Sequence, residues 1–202
     1  MPNWVQTEIE LSGSEADVKS VIDLIKNEQG DVDFSKIVPY PKYWECPEKY
    51  FVKPTDIEVI QFGFSDKPSL HSSKFSINVM EDYPYLNWFS WQVDNWGTKW
   101  NASDSYVISN YISYQTAWSF SKPILKKLSV LFPNVEFLFK YADEDIGNNC
   151  GSGVATNGEV IFDDLSDNDR MELAITLWGC EDDYEFINGE WKYIGEDLYE
   201  EI

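Results

Sequence analysis

Apolar and polar positions alternate along residues 4–11, with Val5, Thr7, Ile9 and Leu11 facing one way and Gln6, Glu8 and Glu10 the other. A period of two predicts a half-buried strand. After the Ser12-Gly13 break the period lengthens. Val18, Val21, Ile22 and Ile25 recur at helical spacing, Ser14 stands as an N-cap with Asp17 three residues on, and Gln29-Gly30 supplies a stop. A helix over 14–29 follows. A short strand is expected over 32–38, ended by Pro39 and Pro41.

Residues 40–104 are the least regular and most aromatic part. Strands are expected at 57–64 and 74–79, and a short helix at 86–93 running into Trp96-Gly97-Thr98-Lys99-Trp100, where Gly97 can end it. Periodicity returns with β-branched and aromatic runs at 106–112 and 114–120. A helix over 121–132 follows, with Ser121 as N-cap and Ile124, Leu125, Leu128 and Leu131 as its apolar face. Residues 135–141 alternate again as a strand. Beyond them, Asn157-Gly158 and Asn188-Gly189 each mark a hairpin turn, at 146–162 and 184–194. Between the hairpins Ser166 caps a third helix, whose first turn holds Asp167 and Asp169 and which Gly179 stops.

The order strand, helix, strand, insert, strand, helix, strand is that of an α+β fold, the ferredoxin-like split βαβ sandwich. The sequence thus divides into a ferredoxin-like domain over 1–160, with its large aromatic-rich insert at about 40–104, and an acidic C-terminal helix-plus-hairpin extension over 161–202. The strands near 4–11, 106–112, 114–120 and 135–141 are expected in one antiparallel-rich sheet, with the two helices of the domain on one face.

Composition adds a large core and excludes several classes. In 202 residues, 43% are hydrophobic and 16% aromatic, enough to bury roughly 70% of the unfolded surface. No stretch reaches the roughly 18–20 apolar residues that cross a bilayer, and the first residues carry neither a basic cluster nor an apolar signal core. No membrane partner is expected. Cys46, Cys150 and Cys180 are far apart and in no CxxC spacing; neither a disulfide scaffold nor a zinc or iron–sulfur site is expected, and a reducing cytoplasm fits. The formal charge is −21, and it is uneven: residues 143–202 hold 18 acids against Arg170 and Lys192, a net of −16. That concentration disfavours direct contact with nucleic acid.

Four segments together carry a family resemblance: Met1-Pro2-Asn3-Trp4 leading into a strand, Phe34-Ser35-Lys36-Ile37-Val38-Pro39, Trp96-Gly97-Thr98-Lys99-Trp100, and Thr116-Ala117-Trp118-Ser119. Over roughly residues 1–160 the chain resembles the Api-ninety-two-like proteins, with Val5 where a Cys often follows the opening Trp. The resemblance implies a ferredoxin-like domain and a phage or mobile-element setting in a bacterial cell. It supplies no activity and no catalytic residues.

Candidate chemistry is sparse. His71, the sole histidine, lies in the polar run 69–73, expected as a loop or strand edge, with no motif bringing a nucleophile to it. Phosphate-cradling and dinucleotide fingerprints are missing. Trp96 and Trp100 are expected to pack the insert onto the sheet, with Lys99 reaching outward. No catalytic residue, cofactor or metal ligand is assigned. What stands out is acidity: Asp143, Glu144, Asp145, Asp163, Asp164, Asp167, Asp169, Glu181, Asp182 and Asp183 are nominated as partner-binding residues. Residues 143–202 carry the charge of roughly eight DNA base pairs. A folded segment displaying it suits the nucleic-acid groove of a basic host protein, a defence nuclease above all, reached by electrostatic steering. Two alternatives stay open. One is a metal-dependent hydrolase built on residues 143–145 with Asp163 and Asp164; the other is an acidic domain of unknown function whose charge serves solubility alone.

Overall fold

A computed structural model describes residues 3–41, 58–60, 69–71 and 88–195. Its elements run β1 (Trp4–Ser12), α1 (Glu15–Ile25), α2 (Phe34–Ile37), β2 (Glu58–Ile60), β3 (Ser69–His71), α3 (Trp88–Trp96), β4 (Ser103–Ile108), β5 (Tyr111–Ala117), α4 (Lys122–Leu131), β6 (Glu136–Asp143), β7 (Gly151–Thr156), β8 (Glu159–Phe162) and α5 (Asp167–Trp178). A 3-10 turn at Glu181–Asp183 then leads to β9 (Tyr184–Ile187) and β10 (Glu190–Tyr193).

One sheet holds six strands in the order β4-β5-β1-β6-β7-β8, every neighbouring pair antiparallel. Within it, β1 and β4 bracket β5, and β5 and β6 bracket β1, which is the interleaved split βαβ arrangement. The chain is α+β and ferredoxin-like, with β7 and β8 continuing the sheet as a meander. Separate two-stranded pairs form from β2 with β3 and from β9 with β10.

Alternation in β1 sets the two sides of the sheet. Val5, Thr7, Ile9 and Leu11 are buried, and the register carries that side across to Ile112 and Phe139, both opposite Ile9. Val21 and Ile25 of α1 and Ile124, Leu125 and Leu128 of α4 join the same cluster. Both helices therefore cover this inner face. Burial of each large aliphatic or aromatic side chain there contributes about 1.5–3 kcal/mol. Several local signals hold. Ser14 Oγ accepts from the Asp17 N–H at 3.2 Å, Ser166 and Asp169 form a complete capping box, and Gly179 ends α5 in the left-handed region. Both Asn-Gly turns have positive φ at both residues, the geometry that joins twisted antiparallel strands.

Several expectations are corrected. The segment 32–38 is not a strand. Asp33 accepts from the Ser35 N–H and Asn101 from the Phe34 N–H at 2.8 Å, so the chain turns into α2 and only Val32 keeps a β-bridge, to Lys26. The first helix ends at Ile25 rather than at Gln29, because Asn27 Oδ1 accepts from the N–H groups of Gln29 and Asp31 and closes a turn of its own. The expected strands 106–112 and 114–120 are displaced: the hairpin turns at Ser109-Asn110, with Ser109 at φ 54°. Ser121 precedes α4 without capping it, its hydroxyl meeting Tyr114 Oη at 2.7 Å. The first strand of the hairpin expected over 146–162 starts only at Gly151 and pairs with β8 from Gly153 on, with 146–150 outside any strand. The expected helix near 86–93 is described as Trp88–Trp96. Of the strand expected at 57–64, Glu58–Ile60 is described and paired; 74–79 lies outside the described residues.

The Trp-Gly-Thr-Lys-Trp segment works as a staple. Trp96 is buried against Phe34, Tyr40 and Trp91. Gly97 has φ 80°, and a Cβ there would stand 2.5 Å from Pro123 Cδ, so glycine alone fits. Thr98 Oγ1, buried, donates to the Ala117 carbonyl at 2.9 Å, and Ser119 Oγ donates to the Gly97 carbonyl at 2.6 Å. Trp100 is half-buried beside Trp4. Lys99 does not point clear of the surface: its ammonium sits 4.7 Å and 4.3 Å from the rings of Trp100 and Trp118.

Candidate partner interface

The alternation that buries Val5 and Ile9 turns Gln6, Glu8 and Glu10 to the opposite, outer face. Helix α5 covers one end of that face. The Trp178 indole N–H donates to the Ala142 carbonyl at 3.1 Å, and Ala174 and Ile175 are the buried residues of the helix itself. Among the described residues no other element crosses the outer face. Two adjoining depressions of about 240 and 280 Å³ lie there, sharing Glu8, Lys140 and Ser152. Glu10 and Asp163 stand at the first, Asp169 and Glu172 at the second; among the described residues Lys140 is the single cation lining them. Tyr111 lines the first depression. Burial, then the hydrogen bond to Glu8 and its charge, push the Tyr111 phenol above its usual range.

The ten nominated acids separate into three places. Asp143 is buried at 6% exposure and faces inward. Its carboxylate accepts from Asn3 Nδ2 and Asn149 Nδ2 at 3.2 Å each and from the Asp145 N–H at 3.0 Å, which organises the turn after β6 and keeps it from the surface. Glu144 and Asp145 are exposed on that turn. Asp163, Asp164, Asp167 and Asp169 are exposed where β8 passes into α5. Asp163 accepts from Ser152 Oγ at 2.5 Å, while Asp169 is the cap partner of Ser166, whose hydrogen bonds hold its carboxyl below the usual range. Glu181, Asp182 and Asp183 form the exposed 3-10 turn.

Only Asp163 and Asp169 of the nominated set reach the outer-face depressions. Glu8, Glu10 and Glu172 complete that acidic lining, and sequence reasoning passed over them as sites. Period two already placed Glu8 and Glu10 on the solvent side; that α5 folds back over that side is a tertiary fact. Among the described residues the one ion pair is Lys19–Asp23, so the described acids of residues 143–195 form no ion pair with a described cation. Nor do three or more His, Cys, Asp or Glu side chains among the described residues come together in a way that could hold a metal ion. Cys150 and Cys180 are free thiols, both pushed up by burial. His71 lies in β3 opposite Glu58. No described helix is long and apolar enough to cross a membrane.

Residues 95–185, from the end of α3 into β9, match the family model of the ferredoxin-like domain in Api92-like protein. The chain resembles the Api92-like proteins. The match lies further along the chain than the opening segments that suggested the resemblance, and it takes in α5 as well as β4 to β8. No curated protein and no solved structure matches the chain.

Proposed function

We propose that this Api92-like chain is a non-enzymatic binding protein that presents acidic surface to a basic protein partner. In its finer form the reading is an inhibitor from a phage or mobile element, acting in the bacterial cytoplasm on a host defence nuclease whose nucleic-acid groove it occupies. One observation carries it. Nine of the ten nominated acids are exposed, and none of them is ion-paired among the described residues. Unpaired carboxylates keep their full field for a partner, and such fields act mainly by accelerating encounter. The hydrolase alternative needs carboxylates that converge, whereas Asp143 is drawn inward at the end of β6 and Asp163 and Asp164 stand exposed at the passage from β8 to α5.

The test is kinetic. Candidate basic nucleases are titrated against the chain and against a triple variant, Asp163→Asn, Asp164→Asn and Asp167→Asn, which spares the Asp169 cap. Association should slow by about tenfold while dissociation changes little, and the difference should shrink between 50 mM and 500 mM salt as the Debye length contracts. Binding that ignores both salt and the substitutions removes the acidic-surface reading.

A further inference from the structure

We propose that the part of the outer sheet face that no described element covers docks a cationic amphipathic helix of about four turns, supplied by the partner protein. The proposal rests on the acidic-binding reading above and names the chemistry of the partner segment that this chain grips.

The strand register places one row of residues straight across the sheet. Ile108 faces Tyr111, Tyr111 faces Glu10, Glu10 faces Leu138, Leu138 faces Val154, and Val154 faces Ile161. Directly paired residues project from the same side of a sheet, so all six stand on the outer face, and five of them are apolar or aromatic. Ile108 is 66% exposed, Ile161 51% and Leu138 44%. A solvated antiparallel face ordinarily carries polar side chains. A line that is apolar or aromatic on five of the six strands and broken only by Glu10 on β1, on a chain of net charge −21, is the kind of surface that marks an interaction site.

Layer geometry gives the occupant its shape. The inner face carries α1 and α4, whereas among the described residues the outer face carries α5 alone, anchored at the Ala142 end. Six strands at a spacing of about 4.8 Å span about 24 Å, the length of about sixteen helical residues at about 1.5 Å each. A strand could add only at the β4 or β8 edge, which would leave the row uncovered. A helix laid along the row buries it.

Charge gives the occupant its sign. Glu10 lies within the row and Glu8 beside it, with Asp163 at one depression and Asp169 and Glu172 at the other, against Lys140 alone among the described residues. Lysines and arginines flanking an apolar stripe would reach these carboxylates. Phosphate groups would be repelled by them, and so would a second copy of this strongly acidic chain.

The test uses the full chain and three labelled 18-residue peptides, with binding followed by fluorescence anisotropy. One peptide sets Leu and Lys at amphipathic helical spacing; the second has the same composition scrambled so that no stripe forms; the third replaces Lys by Glu in the first pattern. The patterned Leu/Lys peptide should bind at least tenfold tighter than the scrambled one, and the Leu/Glu peptide should not bind. Leu138→Gln with Ile161→Gln should weaken the patterned peptide at least tenfold and leave the scrambled one unchanged. Glu8→Gln with Glu10→Gln should flatten the salt dependence of the patterned peptide. As a readout that needs no variant, amide NMR shifts on adding the peptide should move in the row residues and stay still in α1 and α4. Equal binding of patterned and scrambled peptides, or unchanged binding by the Leu138/Ile161 variant, overturns the docking face while leaving the acidic reading in place. Failure of every cationic peptide to bind at low salt overturns both.

Discussion

The Trp96 indole N–H donates to the Val38 carbonyl over 3.0 Å. This bond ties the end of α3 to the residue that follows α2, 58 positions earlier in the chain, and Trp96 itself is 1% exposed. Trp96→Ala should therefore cost about 3–5 kcal/mol, the range for deleting a large core aromatic. Trp96→Phe should cost less, retaining most of the packing while orphaning the carbonyl. Urea denaturation of the two variants measures both values; an Ala variant that melts like the parent would remove the staple.

Thr7 lies wholly buried on the inner face, and its Oγ1 has no hydrogen-bond partner among the described residues. A buried hydroxyl left unpaired costs about 1–3 kcal/mol. Thr7→Val preserves the side-chain shape and removes the polar atom, so it should stabilise the fold by about 1 kcal/mol in chemical denaturation. A loss of stability would reveal a partner for the hydroxyl.

These two positions show where the sequence is readable and where it stops. Alternation assigned Thr7 to the buried side, and the Trp96–Trp100 segment read correctly as packing at Trp96. The caps at Ser14 and Ser166 and both Asn-Gly turns were legible because each is a local agreement between side-chain chemistry and backbone. The Ser109-Asn110 turn was not, since neither Gly nor Pro marks it and Ser109 takes φ 54° under the pull of the strands on either side. Asp33 was misread inside a strand because the group that fixes it as a cap, Asn101, stands 68 positions away at 2.7 Å. Asp143 is the same case in the candidate site. Its neighbours Glu144 and Asp145 are exposed, and nothing nearby in sequence announces that Asn3 and Asn149 draw it inside. Local pattern likewise gives α5 an N-cap and a stop, but not the face of the sheet on which it settles.

Asp33 makes a pH prediction. Burial pushes its carboxyl up, but hydrogen bonds from Ser35 and Asn101 outweigh burial and hold it below the usual range. A depressed folded-state value means that the ionised form stabilises the fold, fully above the unfolded value near 4 and progressively less as pH falls through the folded value. Asp33→Ala should cost about 1 kcal/mol at pH 7, within the range for losing a helix cap. That gap should stay level down to about pH 5 and narrow below about pH 4. Urea midpoints of parent and variant across pH 3–7 test the sign, and a gap that widens on acidification would reverse it.

The last prediction concerns the charge itself, apart from any partner. Glu181, Asp182 and Asp183 are consecutive, exposed and without ion pairs among the described residues, on a chain whose formal charge is −21. Like charges held together in the fold repel one another more than they do in the expanded unfolded chain. Salt should therefore stabilise this protein: the melting temperature should climb between 0.01 M and 1 M, as the Debye length falls from about 30 Å to about 3 Å. Glu181→Gln with Asp182→Asn should raise stability by about 0.5 kcal/mol at low salt, the upper end for exposed substitutions, or about 1–2 °C for a chain of this length. The gain should vanish at 1 M, because screening then does what the substitutions did. Disappearance at high salt separates relief of repulsion from an improvement in packing, which salt would leave in place. A melting temperature indifferent to salt would mean that the acids are already neutralised in the folded protein, and the field on which both the acidic surface and the docking face depend would be missing.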